Sequence, residues 1–332
     1  MREQYFQSKI TTGRFTLPVV ILITTACWVI SFSFIPDIPE REKGYSIFGL
    51  STPEVLPIWA NQVLSYLLHF AIGYFLIWLN NTFGLIRVRA SIQTSVYLLL
   101  IAASPTIHLL YAGDIAAISM LLSIYFLFSS YQHPKPSGRI FMSFFLLGLG
   151  SLAFPQLTYF APLWWIGAFS FKSLSPKSFM ASILGWSFPF WFLFSYAYFF
   201  DDMSLFYQPF TELVTFHSIS LSLLKPWEIT TLIYCLIIFV VSTMHVFING
   251  YKDKMRTQFY LYFLIIITFG IFIFILLQPT HFMDLLSLLL IGVSIIVGHM
   301  LALTNTKASN LFFVSAIAGL VILFCLNVWM LL

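Results

Sequence analysis

Residues 98–132 read LLLIAASPTIHLLYAGDIAAISMLLSIYFLFSSYQ. The opening half is an apolar helix that ends at Ser104-Pro105, since proline disfavours helix in the residue before it. A short, partly polar link follows, holding His108 and Tyr111. A second apolar helix then starts at Asp114. Aspartate is a good helix N-cap, and its charge suits the positive end of the helix dipole. The spacing therefore fixes a carboxylate at a helix mouth, at one surface of a membrane. It reads either as a cap that marks the edge of the lipid or as a carboxylate facing a polar site at the water boundary.

The membrane follows from composition. Of 332 residues, 60% are hydrophobic and 8% charged, with a mean hydropathy of +0.92. Soluble domains carry about 25% charge. The chain reads as an all-α, polytopic membrane helix bundle, because a lipid-embedded backbone must satisfy its own polar groups. The net charge of +4 is no nucleic-acid signal. Cys27, Cys235 and Cys325 each fall inside an apolar stretch, with neither metal spacing nor a disulfide framework. The first apolar stretch is long enough to stay as an anchor, not a cleaved leader.

Apolar stretches recur along the chain. They lie at about 15–35, 58–79, 91–104, 114–131, 179–200, 229–248, 259–277, 285–303 and from 311 onward. Residues 140–171 form one unit, a hairpin broken at Pro155-Gln156. Each of its arms is about fifteen residues, or about 22 Å of helix, short of a ~30 Å hydrocarbon core. The polar segment 36–57 is cut by Pro36, Pro39, Pro53 and Pro57. The loop 201–228 has the mixed composition of an amphipathic piece lying at an interface. The expectation is one integral membrane domain over 1–332 with about eleven spans.

Charge orders these spans. The N-terminal tail and the even-numbered loops hold thirteen of the sixteen Lys and Arg, with Glu3 and Asp253. The odd-numbered loops hold Arg41, Lys43 and Lys225 with the other ten acids. The positive-inside rule then gives a cytoplasmic N-terminus and an external C-terminus. Asp37, Asp114, Asp201, Asp202 and Asp284 fall on the outer face, with His108, His217 and His281. No phosphate loop, metal-ligand spacing or Ser-His-Asp order is present, so neither a metal nor a cofactor is implied. His69, His245 and His299 read as bundle residues. No Asp, Glu, Lys or Arg falls in mid-membrane, which argues against an ion-coupled transporter.

The order of parts resembles the multi-span polyprenyl-phosphate-dependent glycosyltransferases, the superfamily of protein O-mannosyltransferases and aminoarabinose transferases. Asp37 matches by position the acidic residue just outside span 1. Ser104-Pro105 and Asp114 match the "Ser-Pro … Asp" pair, and LLGLGSLAFPQLTYFAPLWW the short Gly-rich hairpin. The likeness covers roughly 15–200, the transferase-like core, with 201–332 as additional spans. A nearer likeness is to uncharacterised bacterial inner-membrane proteins. The resemblance implies a protein of the bacterial cytoplasmic (inner) membrane that moves a sugar from a polyprenyl-phosphate carrier to an acceptor at the outer face. Asp37 would act as general base and Asp114 would position it or the acceptor. Arg41, Lys43 or Lys225 would hold the phosphate, with His108 and Tyr111 beside the substrate. One departure is plain: the superfamily often has a lysine near the hairpin turn, and this chain has Ala153-Phe154-Pro155-Gln156. A non-catalytic membrane subunit that binds lipid or a partner protein is the rival reading.

Overall fold

The computed structural model describes residues 6–11, 13–34, 57–86, 91–216 and 221–331. Among these the chain is helical, and every expected apolar stretch contains a helix. A short α1 (Phe6–Thr11) precedes α2 (Thr16–Phe34) and α3 (Ile58–Phe83). Then come α4 (Ile92–Ala102), α5 (Ala112–Ser129), α6 (Ser137–Ala153), α7 (Ala161–Ser170) and α8 (Pro176–Phe199). The chain closes with α9 (Ser204–Val214), α10 (Pro226–Asn249), α11 (Met255–Leu277), α12 (Phe282–Leu303) and α13 (Lys307–Leu331). Eight of these segments are long and apolar enough to cross a membrane. The short ones are α4 and the two hairpin arms, α6 and α7, joined by a 3-10 turn at Pro155–Phe160.

Helix ends follow local chemistry. Gly84 ends α3 in the left-handed region at φ 64°, and its N–H bonds the Asn80 carbonyl at 2.8 Å. The Asn80 side chain then accepts the Ile86 N–H at 2.8 Å. Ser175 caps α8 ahead of Pro176, accepting the Ser178 N–H at 3.2 Å. The Glu228 carboxylate reaches back to the Lys225 N–H at 2.9 Å at the start of α10.

Contacts sort the links into two ends. At one end the Asn327 amide of α13 donates to the Ala103 carbonyl at 2.8 Å, and Gln156 of the hairpin turn meets His281 at 3.1 Å. The Tyr159 hydroxyl there bonds the Leu213 carbonyl, which ties α9 to the hairpin turn. At the other end the Gln132 N–H bonds the Phe171 carbonyl at 3.0 Å, and Arg256 reaches the Phe83 carbonyl at 3.4 Å. Gln7 of α1 bonds the Leu301 carbonyl at 2.8 Å at this end. Successive apolar helices thus run in alternating directions.

The interior is set by α12, in which 94% of an 18-residue apolar window is buried. It packs on α4, α5, α10 and α11. The short α4 is walled in by α2, α3 and α12, so neighbouring protein covers the depth it cannot span. The α6–α8 contact is a reciprocal glycine pair: a Cβ on Gly148 would lie 2.5 Å from the Trp186 carbonyl oxygen, and one on Gly185 2.4 Å from that of Phe141. Close backbone approach of this kind is how helices associate where lipid offers no hydrophobic drive.

Candidate functional site

The link after α4 is stitched to α3. Leu110 donates its N–H to the Asn61 side chain at 2.6 Å, and the Ile107 carbonyl accepts the Ser65 hydroxyl at 3.1 Å. This places Tyr111 at the N-cap position of α5 and Asp114 at the third helical residue. The expectation that the helix starts at Asp114 is corrected here. Ala112 and Gly113 are already helical, and from the third position the carboxylate reaches back to the Tyr111 N–H at 2.8 Å. A second N–H of this first turn, that of Gly113, is taken by the Asp284 carboxylate of α12 at 2.9 Å.

Asp114 does not face water. It is fully buried, and so are His69 and His108. One carboxylate oxygen takes the Tyr111 N–H and the other accepts the Ser287 hydroxyl. The latter oxygen lies 3.7 Å from His69 Nε2, and His69 Nδ1 meets the Tyr97 hydroxyl at 3.0 Å. Five elements therefore converge on this carboxylate: α3, α4, the link, α5 and α12. A burial this deep is tolerated because hydrogen bonds replace those lost to water.

His108 stacks on Trp28 of α2, centroids 3.8 Å apart and planes 18° apart. The same indole lies 6.0 Å from the His69 ring. Trp28 thus separates the Asp114 cluster from a groove of about 280 Å³ between α2 and α3. Thr25, Phe32, Trp59, Gln62 and Tyr66 line that groove with Trp28.

The other expected site residues are dispersed. Asp37, Arg41, Lys43 and His217 lie outside the described residues. Tyr111 is half-buried and serves Asp114 through its backbone. Lys225 sits at the N-cap of α10 with its Nζ 4.9 Å from the Trp227 ring centroid. His299 lies at the opposite end of α12, its Nε2 3.3 Å from Asp253 Oδ2, with the His245 ring 6.5 Å away. Among the described residues no group of three or more His, Cys, Asp or Glu is arranged to hold a metal ion.

Residues missed from sequence are His69, Tyr97, Ser287, Trp28 and Gln62. A signal for part of this set was present: Asn61, Gln62, Ser65 and His69 fall at one-turn spacing in an otherwise apolar helix. Such a stripe marks the face turned to protein, not lipid. No family model, no curated protein and no solved structure matches the chain.

Proposed function

We propose that this multi-pass membrane protein is a non-catalytic subunit that holds lipid at the outer end of its bundle. The carrying observation is the state of Asp114: it has no exposed surface, and protein donors occupy both of its oxygens. A side chain with no exposed surface cannot touch an acceptor, one of the two roles that the transferase resemblance gives Asp114. Asp114 instead joins α5 to α12 and to the link. The groove between α2 and α3 supplies the place for a lipid chain. The reading includes a bacterial cytoplasmic membrane, eleven spans, an inside N-terminus and an outside C-terminus. The alternating helix directions and the thirteen-to-three division of Lys and Arg support that topology.

Sugar transfer from a polyprenyl-phosphate carrier is the second reading. One observation favours it: the two groove helices are the pair joined by segment 35–56, which carries Asp37, Arg41 and Lys43. In that case Asp37 is the base and Asp114 holds its surroundings in place.

Complementation of a deletion strain separates the two readings. The subunit reading expects both Asp37→Asn and Asp114→Asn to restore the phenotype at normal protein level. An amide cannot take a proton at neutral pH. Loss of a general base costs about 10²–10⁴ in rate. Failure of Asp37→Asn, with the protein present and inserted, rejects the subunit reading in favour of transfer.

A further inference from the structure

The α5–α6 and α7–α8 links meet at the end of the bundle opposite Asp114. The Gln132 N–H bonds the Phe171 carbonyl at 3.0 Å, and the Ser130 hydroxyl donates to that of Ser173 at 3.0 Å. Lys135, Lys172 and Lys177 stand on these two links or at the helix start beside them, and all three are exposed. Among the described residues none of the three has a carboxylate partner. Asp253, an acid of this same end, is buried with its Oδ2 3.3 Å from His299 Nε2. Arg139 differs from the lysines, since it bonds the Ser129 carbonyl at the end of α5.

Two of the lysines hold positions that their own backbone disfavours. Lys172 follows α7 at φ 54°, in the left-handed region, where glycine is the usual residue. Lys177 is the second residue of α8, where the positive end of the helix dipole opposes a cation. An excess of Lys and Arg at one end orients a chain in the membrane, but any position in the links serves that purpose. One turn into each helix the side chains are apolar and open. Phe169 of α7 is 73% exposed and Met180 of α8 60%. Cations at the end of the bundle and bare apolar side chains one turn deeper match an anionic head on an alkyl chain.

We infer that this junction binds an anionic phospholipid of the adjoining leaflet. Lys135, Lys172 and Lys177 hold its phosphate, and its chains lie along Phe169 and Met180. Lysine meets phosphate as a point charge, and basic pockets between helix ends are where anionic lipid heads are held. A free anion would use the lysines alone, whereas a lipid also covers the apolar side chains. The site is separate from the groove between α2 and α3 and stands whether or not that groove holds lipid.

Native mass spectrometry of the full chain in detergent tests this, with dioleoyl-phosphatidylglycerol and dioleoyl-phosphatidylcholine offered at equal concentration. The glycerol lipid is expected to be retained in preference to the choline lipid. Lys172→Gly and Lys177→Gln should each lower that retention about fivefold, the worth of one lysine near an anionic surface. Retention of the choline lipid should not change. Lys172→Gly should leave the thermal midpoint in lipid-free detergent undiminished, because glycine is at ease at this φ. Should it fold poorly even so, Lys177→Gln carries the test. Lys307→Gln, at the start of α13 on the same end, is the control and should change nothing. Equal retention of the two lipids overturns the site, and so does a loss with Lys307→Gln as large as that with Lys177→Gln. Inorganic phosphate at the lipid's concentration should not displace it; displacement would overturn the lipid assignment in favour of a free anion.

Discussion

Asp284 and Gly113 lock two helix starts together: the Asp284 carboxylate accepts the Gly113 N–H at 2.9 Å, and the Asp284 backbone fills the space where a Gly113 side chain would stand. A Cβ on Gly113 would lie 2.0 Å from the Asp284 carbonyl oxygen. The two residues are 171 positions apart. The same junction aligns Ser287 with Asp114.

Gly113→Ala should therefore push α5 from α12. Overpacking costs about 1–3 kcal/mol, and a clash with backbone belongs at the upper end because no side chain can swing away. Thermal unfolding in detergent measures the loss. Asp284→Asn keeps a carbonyl acceptor for the Gly113 N–H and should cost much less. Equal midpoints for Gly113→Ala and the parent chain would show that the junction is loose.

Asp114→Asn and Asp114→Ala should differ. The amide oxygen can still accept the Tyr111 N–H, and its NH₂ can donate to Ser287. Alanine leaves the part-buried Tyr111 N–H and the buried Ser287 hydroxyl without this partner, at about 1–3 kcal/mol for the buried hydroxyl and less for the N–H. Chemical denaturation in mixed micelles is expected to rank parent and Asn together and Ala well below. A parent-like Ala variant would mean that the carboxylate does not hold the link.

The α6–α8 contact makes a prediction about additivity. Gly148→Ala and Gly185→Ala should each destabilise by about 1–3 kcal/mol, since each new methyl meets a carbonyl oxygen of the opposite helix. The double variant should cost less than the sum, because the first substitution already separates the helices. Full additivity would place the two contacts on independent parts of the bundle.

Topology is checked by reporters. A phosphatase fused after Leu332 should be active outside the membrane, and a fluorescent protein fused after Arg139 should fluoresce inside it. An inactive phosphatase at Leu332 rejects the arrangement of eleven spans with an inside N-terminus.

Helix positions were legible in the chain itself. The broken hairpin around Pro155, the stop at Ser104-Pro105 and the amphipathic α9 all follow from residues within one or two turns of each other. A helix in lipid bonds its own backbone, so an apolar run and its flanking breakers settle its extent without reference to any partner. The depth of Asp114 was not legible. As an acid at a helix start it reads as a surface group, and the local pattern missed both the two helical residues before it and the protein that closes over it.

Which helix lies at the centre was likewise beyond the sequence. The hydropathy of α12 and α13 is nearly the same, yet 94% of an 18-residue window of α12 is buried and 17% of one in α13. An apolar side chain is equally content against lipid or against protein, so hydropathy inside a membrane carries no information on burial. Tertiary packing alone brought His69, Tyr97 and Ser287 to Asp114 and set Gln62 and Trp28 on one groove. The polar stripe Asn61, Gln62, Ser65 and His69 marks which face of α3 turns to protein, but the partners it meets come from other helices, Ser287 from 173 positions beyond Asp114, and nothing periodic in the sequence names them.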